Sequence, residues 1–312
     1  MTQNEGMLLW TLRLLALLPL WLLHAAGAAG GGAAFALSGG FRRKTVQNLR
    51  TAGLCRPSLA WSSATAAGKA ALETCYIWFR SDAELLRKSQ FDAFARLARA
   101  TDAQKAAGDR RGVIILTPHI GSFELGARAY GSVAPITVLY KAPRREVLHQ
   151  LLKVARTQSG VTPVPADTGG VRALLRALKR GEAIGILPDQ VPSAGDGEWA
   201  PFFGKPAFTM TLPARLAEKT GAPVYLLATW RRPWGRGWDL ELTRLERVPT
   251  PDVINQALEA ALGGFGKTPW ERMLIGVPKK LAAMMVDSVA DLTKGVGDFL
   301  IDDEPDTGPK AE

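Results

Sequence analysis

Residues 117–126 read "TPHIGSFELG" and hold one of only three histidines in a chain of 312 residues. Glu124 follows His119 by five positions. A neutral imidazole can take the proton of a hydroxyl while that oxygen attacks a carbonyl. A carboxylate beside the ring would hold it in one tautomer and support the imidazolium that forms. The stretch offers no obvious protein nucleophile, because Ser122 is better used as a helix N-cap. A base without its own nucleophile points to an attacking oxygen that belongs to the substrate. That chemistry is direct acyl transfer to an alcohol, with no covalent enzyme intermediate. The alternative is a histidine and a glutamate at a strand–helix junction with unrelated hydrogen bonds, since the spacing alone has little specificity.

Neither regular element brings such a pair together. Five positions apart on a helix means about 140° apart, and on a strand it means opposite faces. A strand end, a tight turn and a helix start can do so. "GVIILTP" (112–118) supplies the strand and "FELGARAY" the helix. Gly121 permits an unusual backbone angle between them. Glu124 then falls in the first helical turn, where a negative charge suits the helix dipole.

Around this junction, β-rich runs alternate with helical stretches. Further strand candidates are "PITVLY" (135–140), "EAIGILP" (182–188), "PVYLLATW" (223–230) and "DLELTRL" (239–245), with helices at 145–158, 170–180 and 209–220. Residues 42–110 read as helical. The pattern predicts a single α/β domain, a mixed sheet flanked by helices.

The amino-terminal run, residues 7–37, has His24 as its only strongly polar side chain from Leu14 onward. It is long enough to cross ~30 Å of hydrocarbon, with a kink at Pro19. "FRRK" (41–44) follows it, whereas "MTQNEG" precedes it without a base, so the carboxyl side is expected in the cytoplasm. The alternative is a cleaved signal peptide. The formal net charge of +10 asks for an anionic partner. No nucleic-acid-binding motif is present, and the basic residues near apolar segments fit a membrane surface better. Cys55 and Cys75 belong to no CxxC pair, so neither a zinc site nor a redox dithiol is expected.

Four blocks in order, "TPHIGSFELG", "LLKVARTQSG" (151–160), "GEAIGILPDQ" (181–190) and "FFGKPAFTMTLPARLAEKTGAPV" (202–224), resemble the bacterial lipid A biosynthesis acyltransferases. These are the lauroyl/myristoyl type, within the glycerolipid acyltransferase superfamily marked by H-x4-D/E. The resemblance covers roughly residues 40–260. It implies a glycerolipid-acyltransferase-like fold on the cytoplasmic face of the inner membrane, held by one transmembrane helix. It also implies acyl transfer from acyl carrier protein to a hydroxyl of a lipid A precursor, with no cofactor and no metal. His119 would be the base and Glu124 its partner. Arg156, Asp189, Gln190, Phe202, Phe203, Gly204 and Lys205 would bind substrate. A guanidinium at Arg156 suits a bidentate phosphate contact. Asp189 follows a buried strand, at the end where α/β sheets place ligands.

Three segments follow from this reading: residues 1–40 as membrane anchor, 41–262 as acyltransferase domain, and 263–312 as a departure from the family pattern. The last carries an amphipathic spacing at 281, 285, 289, 292 and 296 and a polar tail. Two rival readings stay open. One changes the acceptor to another membrane glycolipid or phospholipid. The other is an exported, non-catalytic binding protein with its signal removed and Cys55 and Cys75 oxidised.

Overall fold

The computed structural model describes residues 3–54, 56–140 and 160–263. The chain opens with helices α1 (Gln3–Leu17), α2 (Leu20–Leu37), α3 (Gly39–Thr51), α4 (Pro57–Phe79) and α5 (Asp82–Arg87), then a short strand β1 (Ser89–Gln90) and helix α6 (Asp92–Ala106). The α/β part follows: β2 (Val113–Leu116), α7 (Glu124–Gly131), β3 (Ile136–Tyr140), β4 (Val161–Pro165), α8 (Thr168–Lys179), β5 (Ala183–Ile186), β6 (Gly197–Phe202), β7 (Lys205–Met210), α9 (Leu212–Thr220), β8 (Val224–Arg231), β9 (Trp238–Leu245) and α10 (Pro251–Gly263).

Proline ends the first helix of the apolar run. Pro19 takes the N-cap place of α2 with φ −59° and ψ 140°, because its ring and missing N–H break the helical ladder. By length and composition α2 can cross a membrane, yet it also packs along α4. Leu20, Leu23, His24, Gly27 and Gly31 form the buried stripe. The contact is backbone to backbone. A Cβ on Gly31 would lie 2.2 Å from the Ala64 carbonyl oxygen, and one on Gly68 would lie 1.9 Å from that of Gly27. Small residues one turn apart allow this approach. The opposite side leaves Trp21 and Leu22 exposed.

Seven strands form one sheet in the order β1-β9-β8-β2-β5-β3-β4. Neighbours run parallel except the β8–β9 pair. Every residue of the central strands β2 and β5 is buried, which explains their unbroken apolar runs. Side chains alternate between two cores. Val113 and Ile115 join Tyr76, Phe94, Tyr130 and Trp238 on one face. Ile114 and Leu116 join Leu174, Leu178, Leu216 and Ile254 on the other. The mixed α/β fold anticipated from the sequence is thus present, and all five strand candidates are strands.

Three elements differ from the sequence reading. Strand β4, "VTPVP", holds two prolines that the sheet accepts because β4 is an edge. Residues 209–210 belong to a strand, not to the helix expected from 209, and α9 starts at Leu212 with Pro213 in its first turn. The "FFGK" stretch is a hairpin turn joining β6 and β7. Phe203 (φ 48°) and Gly204 (φ 67°) both take positive φ, as a tight two-residue hairpin turn requires. The helix expected at 145–158 and everything expected beyond 263 lie outside the described residues.

Candidate active site

His119 and Asp189 meet because the sheet delivers them together. Strands β2 and β5 pair in parallel with Leu116 opposite Ile186. Each of the two residues sits three positions beyond its strand's end. The two loops therefore leave the same edge of the sheet side by side. His119 Nδ1 lies 2.9 Å from Asp189 Oδ1, and the His119 backbone N–H donates to Asp189 Oδ2 at 2.8 Å. Their side chains are only 6% and 3% exposed. A carboxylate facing Nδ1 favours the tautomer with its hydrogen on Nδ1, and a neutral ring in that tautomer offers a lone pair at Nε2. The ring packs against Phe123, with centroids 4.5 Å apart.

The carboxylate on Nδ1 is therefore that of Asp189, where the sequence reading put Glu124. Glu124 does open α7 as expected. The turn before it aims its side chain toward α4, where Trp78 Nε1 donates to Glu124 Oε2 at 3.1 Å. There Glu124 lines a cavity of about 60 Å³ whose walls include Trp78, Phe123, Ile115, Val138 and Tyr140. Arg128 also faces this cavity. Its guanidinium is spent on the Ile77 and Arg80 carbonyls and on Asp82. It thereby ties the carboxyl end of α4, with its otherwise unpaired carbonyls, to α7.

Gly121 makes the turn possible. It has φ +60°, and a Cβ there would lie 1.7 Å from the Thr229 carbonyl oxygen. Gly121 bridges Thr229 of β8, and the Ser122 N–H donates to the same Thr229 oxygen at 3.1 Å. Ser122 is not the helix cap. Phe123 occupies the N-cap place without a side-chain bond, and Ser122 Oγ donates instead to Glu73 Oε1 at 2.7 Å.

Glu73 was not singled out from the sequence. It is buried in α4, and its carboxylate also meets His24 Nε2 at 2.9 Å, Trp238 Nε1 at 3.4 Å and the Arg231 guanidinium. Arg231 in turn donates to the Gly121 carbonyl at 2.9 Å. Burial pushes the Glu73 carboxyl up, but the Arg231 charge and the His24 and Arg231 hydrogen bonds outweigh it and hold the group down at about 2. The available signal was a lone acid inside the apolar helical run "AALETCYIWF". Two residues on, burial pushes the free Cys75 thiol up to about 11, so it stays protonated and unreactive at neutral pH.

The remaining predicted site residues are dispersed. Gln190 follows Asp189 in its turn and is half-buried. Phe202 is buried in the core cluster that also holds Ile120 and Leu116, with Phe203 packed against that cluster. The hairpin rests on α10: Phe203 N–H donates to Glu259, and Asn255 Nδ2 donates to the Pro201 carbonyl at 2.9 Å. Gly204 and Lys205 form its exposed tip. Arg156 lies outside the described residues.

Comparison with known proteins agrees with the blocks read from the sequence. The profile of the family described as bacterial lipid A biosynthesis acyltransferase matches residues 6–258. The chain is 27% identical over 186 residues to the lipid A biosynthesis lauroyltransferase of Escherichia coli (strain K12), covering 59% of this chain and 58% of that protein. It is 27% identical over 192 residues to the lipid A biosynthesis palmitoleoyltransferase of the same organism, covering 61% and 60%. A lipid A biosynthesis acyltransferase of Shigella flexneri matches to the same extent. The matched region thus spans less than two thirds of each of these relatives. With the family profile matching most of its length, the chain belongs to the bacterial lipid A biosynthesis acyltransferases.

Proposed function

We propose that this protein transfers a fatty acyl chain from acyl carrier protein to a hydroxyl of a lipid A precursor, with His119 as general base. The observation that carries this is the His119–Asp189 pair at the carboxyl edge of the sheet, where ligands of α/β folds bind. The acceptor hydroxyl donates to Nε2 and loses its proton there as its oxygen attacks the thioester carbonyl. A new C–O bond forms, the C–S bond breaks, and the imidazolium returns the proton to the departing thiolate. Asp189 holds the tautomer and supports the transient imidazolium. Glu124, which accepts from Trp78 at the cavity wall, takes a positioning role for the substrate. The apolar lining of that cavity suits the start of an acyl chain. Arg156 is assigned to a phosphate of either substrate.

The same reading takes residues 1–40 as the membrane-attaching segment and 41–262 as a catalytic domain at the cytoplasmic face of the inner membrane, with α2 lying against that domain and Leu20 and Leu23 in its core. Its support is the length and composition of α2, the bases that follow it, and exposed Trp10, Trp21 and Trp234, a residue type that favours the membrane interface. The test uses the purified full chain with acyl carrier protein donors of several lengths and a lipid A precursor, read by mass spectrometry. The expected result is an acylated precursor from the wild type and none from His119→Ala, with the fold of that variant retained. Near-normal turnover by His119→Ala would remove the imidazole from the mechanism.

A further inference from the structure

We infer that α2 is a working part of the active site: through His24 and Glu73 it positions the loop that carries His119. This rests on the acyl-transfer reading above and adds a set of positioning residues to it. The link is continuous. His24 of α2 meets Glu73 of α4, Glu73 accepts from Ser122, and Arg231 joins Glu73 to the Gly121 carbonyl. Ser122 and Gly121 stand three and two residues after His119. A carboxylate has about four acceptor sites, and four side chains from four places in the fold fill them: His24, Ser122, Arg231 and Trp238.

Stability alone is a weak reason for this cluster. Glu73 is 1% exposed, and taking charges out of water offsets much of what their pairing gains, so apolar packing of equal volume would serve as well. What apolar packing cannot do is fix direction. Hydrogen bonds at defined atoms set the loop between β2 and α7 relative to α2, α4 and β9. Among the described residues the loop is also tied to Asp189 and to the Thr229 and Ile186 backbone. These hold the ring and the turn, while Glu73 and Arg231 hold the side of the loop facing the helices. Loss of the His24 contact leaves Glu73 free to shift toward Arg231, and Ser122 shifts with it.

The experiment compares full-length wild type, His119→Ala, Ser122→Ala, His24→Leu and His24→Gln in the same membrane-mimetic assay. Each is also followed by thermal melting and by amide hydrogen exchange over the peptide containing His119 to Leu125. Ser122→Ala and His24→Leu should lower kcat about 10–100-fold, the scale of a small misplacement of a reacting group. KM for the donor should stay near that of the wild type, and exchange in the loop should accelerate. His24→Gln, which can still donate to Glu73, should restore most of kcat and of the protection. Folded Ser122→Ala and His24→Leu proteins with wild-type kcat and wild-type exchange would overturn the inference. So would losses that only track the unfolded fraction without rescue by His24→Gln. If the wild type itself transfers no acyl chain, the acyl-transfer reading fails, and the exchange data still decide whether α2 holds the loop.

Discussion

Asp189 gives His119 two contacts, one to the ring and one to the backbone, so ring orientation and loop position are set by a single side chain. Asp189→Asn should reduce kcat about 10²–10⁴-fold by admitting the wrong tautomer, while circular dichroism stays native. Glu124→Gln should cost less in kcat than Asp189→Asn and raise the donor KM, because Glu124 meets Trp78 at the cavity assigned to the acyl chain; steady-state kinetics of both variants checks this. His119 was legible in the sequence because histidine is rare here and the strand, turn and helix signals bracket it. Asp189 was legible as an acid closing a buried strand. Their pairing was not, since it joins positions 70 apart and depends on strand register. Glu73 was illegible for a similar reason: its four donors come from residues 24, 122, 231 and 238, and nothing local marks their convergence.

At the scale of elements, Gly121 is the most constrained point of the turn between β2 and α7. Gly121→Ala places a methyl group against the Thr229 carbonyl with φ held positive. It should destabilise the protein by about 1–3 kcal/mol and depress transfer further than that loss explains; urea melts alongside rate measurements separate the two. Of the five strands read from the sequence, β2 and β5 are buried throughout and show as unbroken apolar runs, while β9 alternates buried with more exposed residues along its first half. The elements that could not be read obey tertiary rules. Strand β4 keeps its prolines because it is an edge, and the "FFGK" turn places Phe203 in a conformation that local preference assigns to glycine or asparagine. The helical reading of 42–110 was right in kind, but the chain breaks it into four helices and lays a two-residue strand, β1, beside β9.

Across the whole molecule, the buried Glu73 cluster predicts a pH dependence of stability. A carboxyl held below its ordinary value stabilises the fold above that ordinary value and loses the contribution as pH falls toward the folded value. The window here runs from about 4.5 down to about 2. Thermal melts of the wild type should fall more steeply with acid in this window than those of Glu73→Gln. The apolar run of α2 was visible in the sequence, whereas the glycine contact that locks α2 onto α4 was not, because it needs both helices at once. The bridge from Gly121 to Thr229 and the bond from Arg231 to the Gly121 carbonyl carry one more consequence. During synthesis, His119 leaves the ribosome about a hundred residues before the strand that fixes its loop. A nascent chain therefore holds His119 long before its loop is fixed, and the loop takes its place only when β8 joins the sheet.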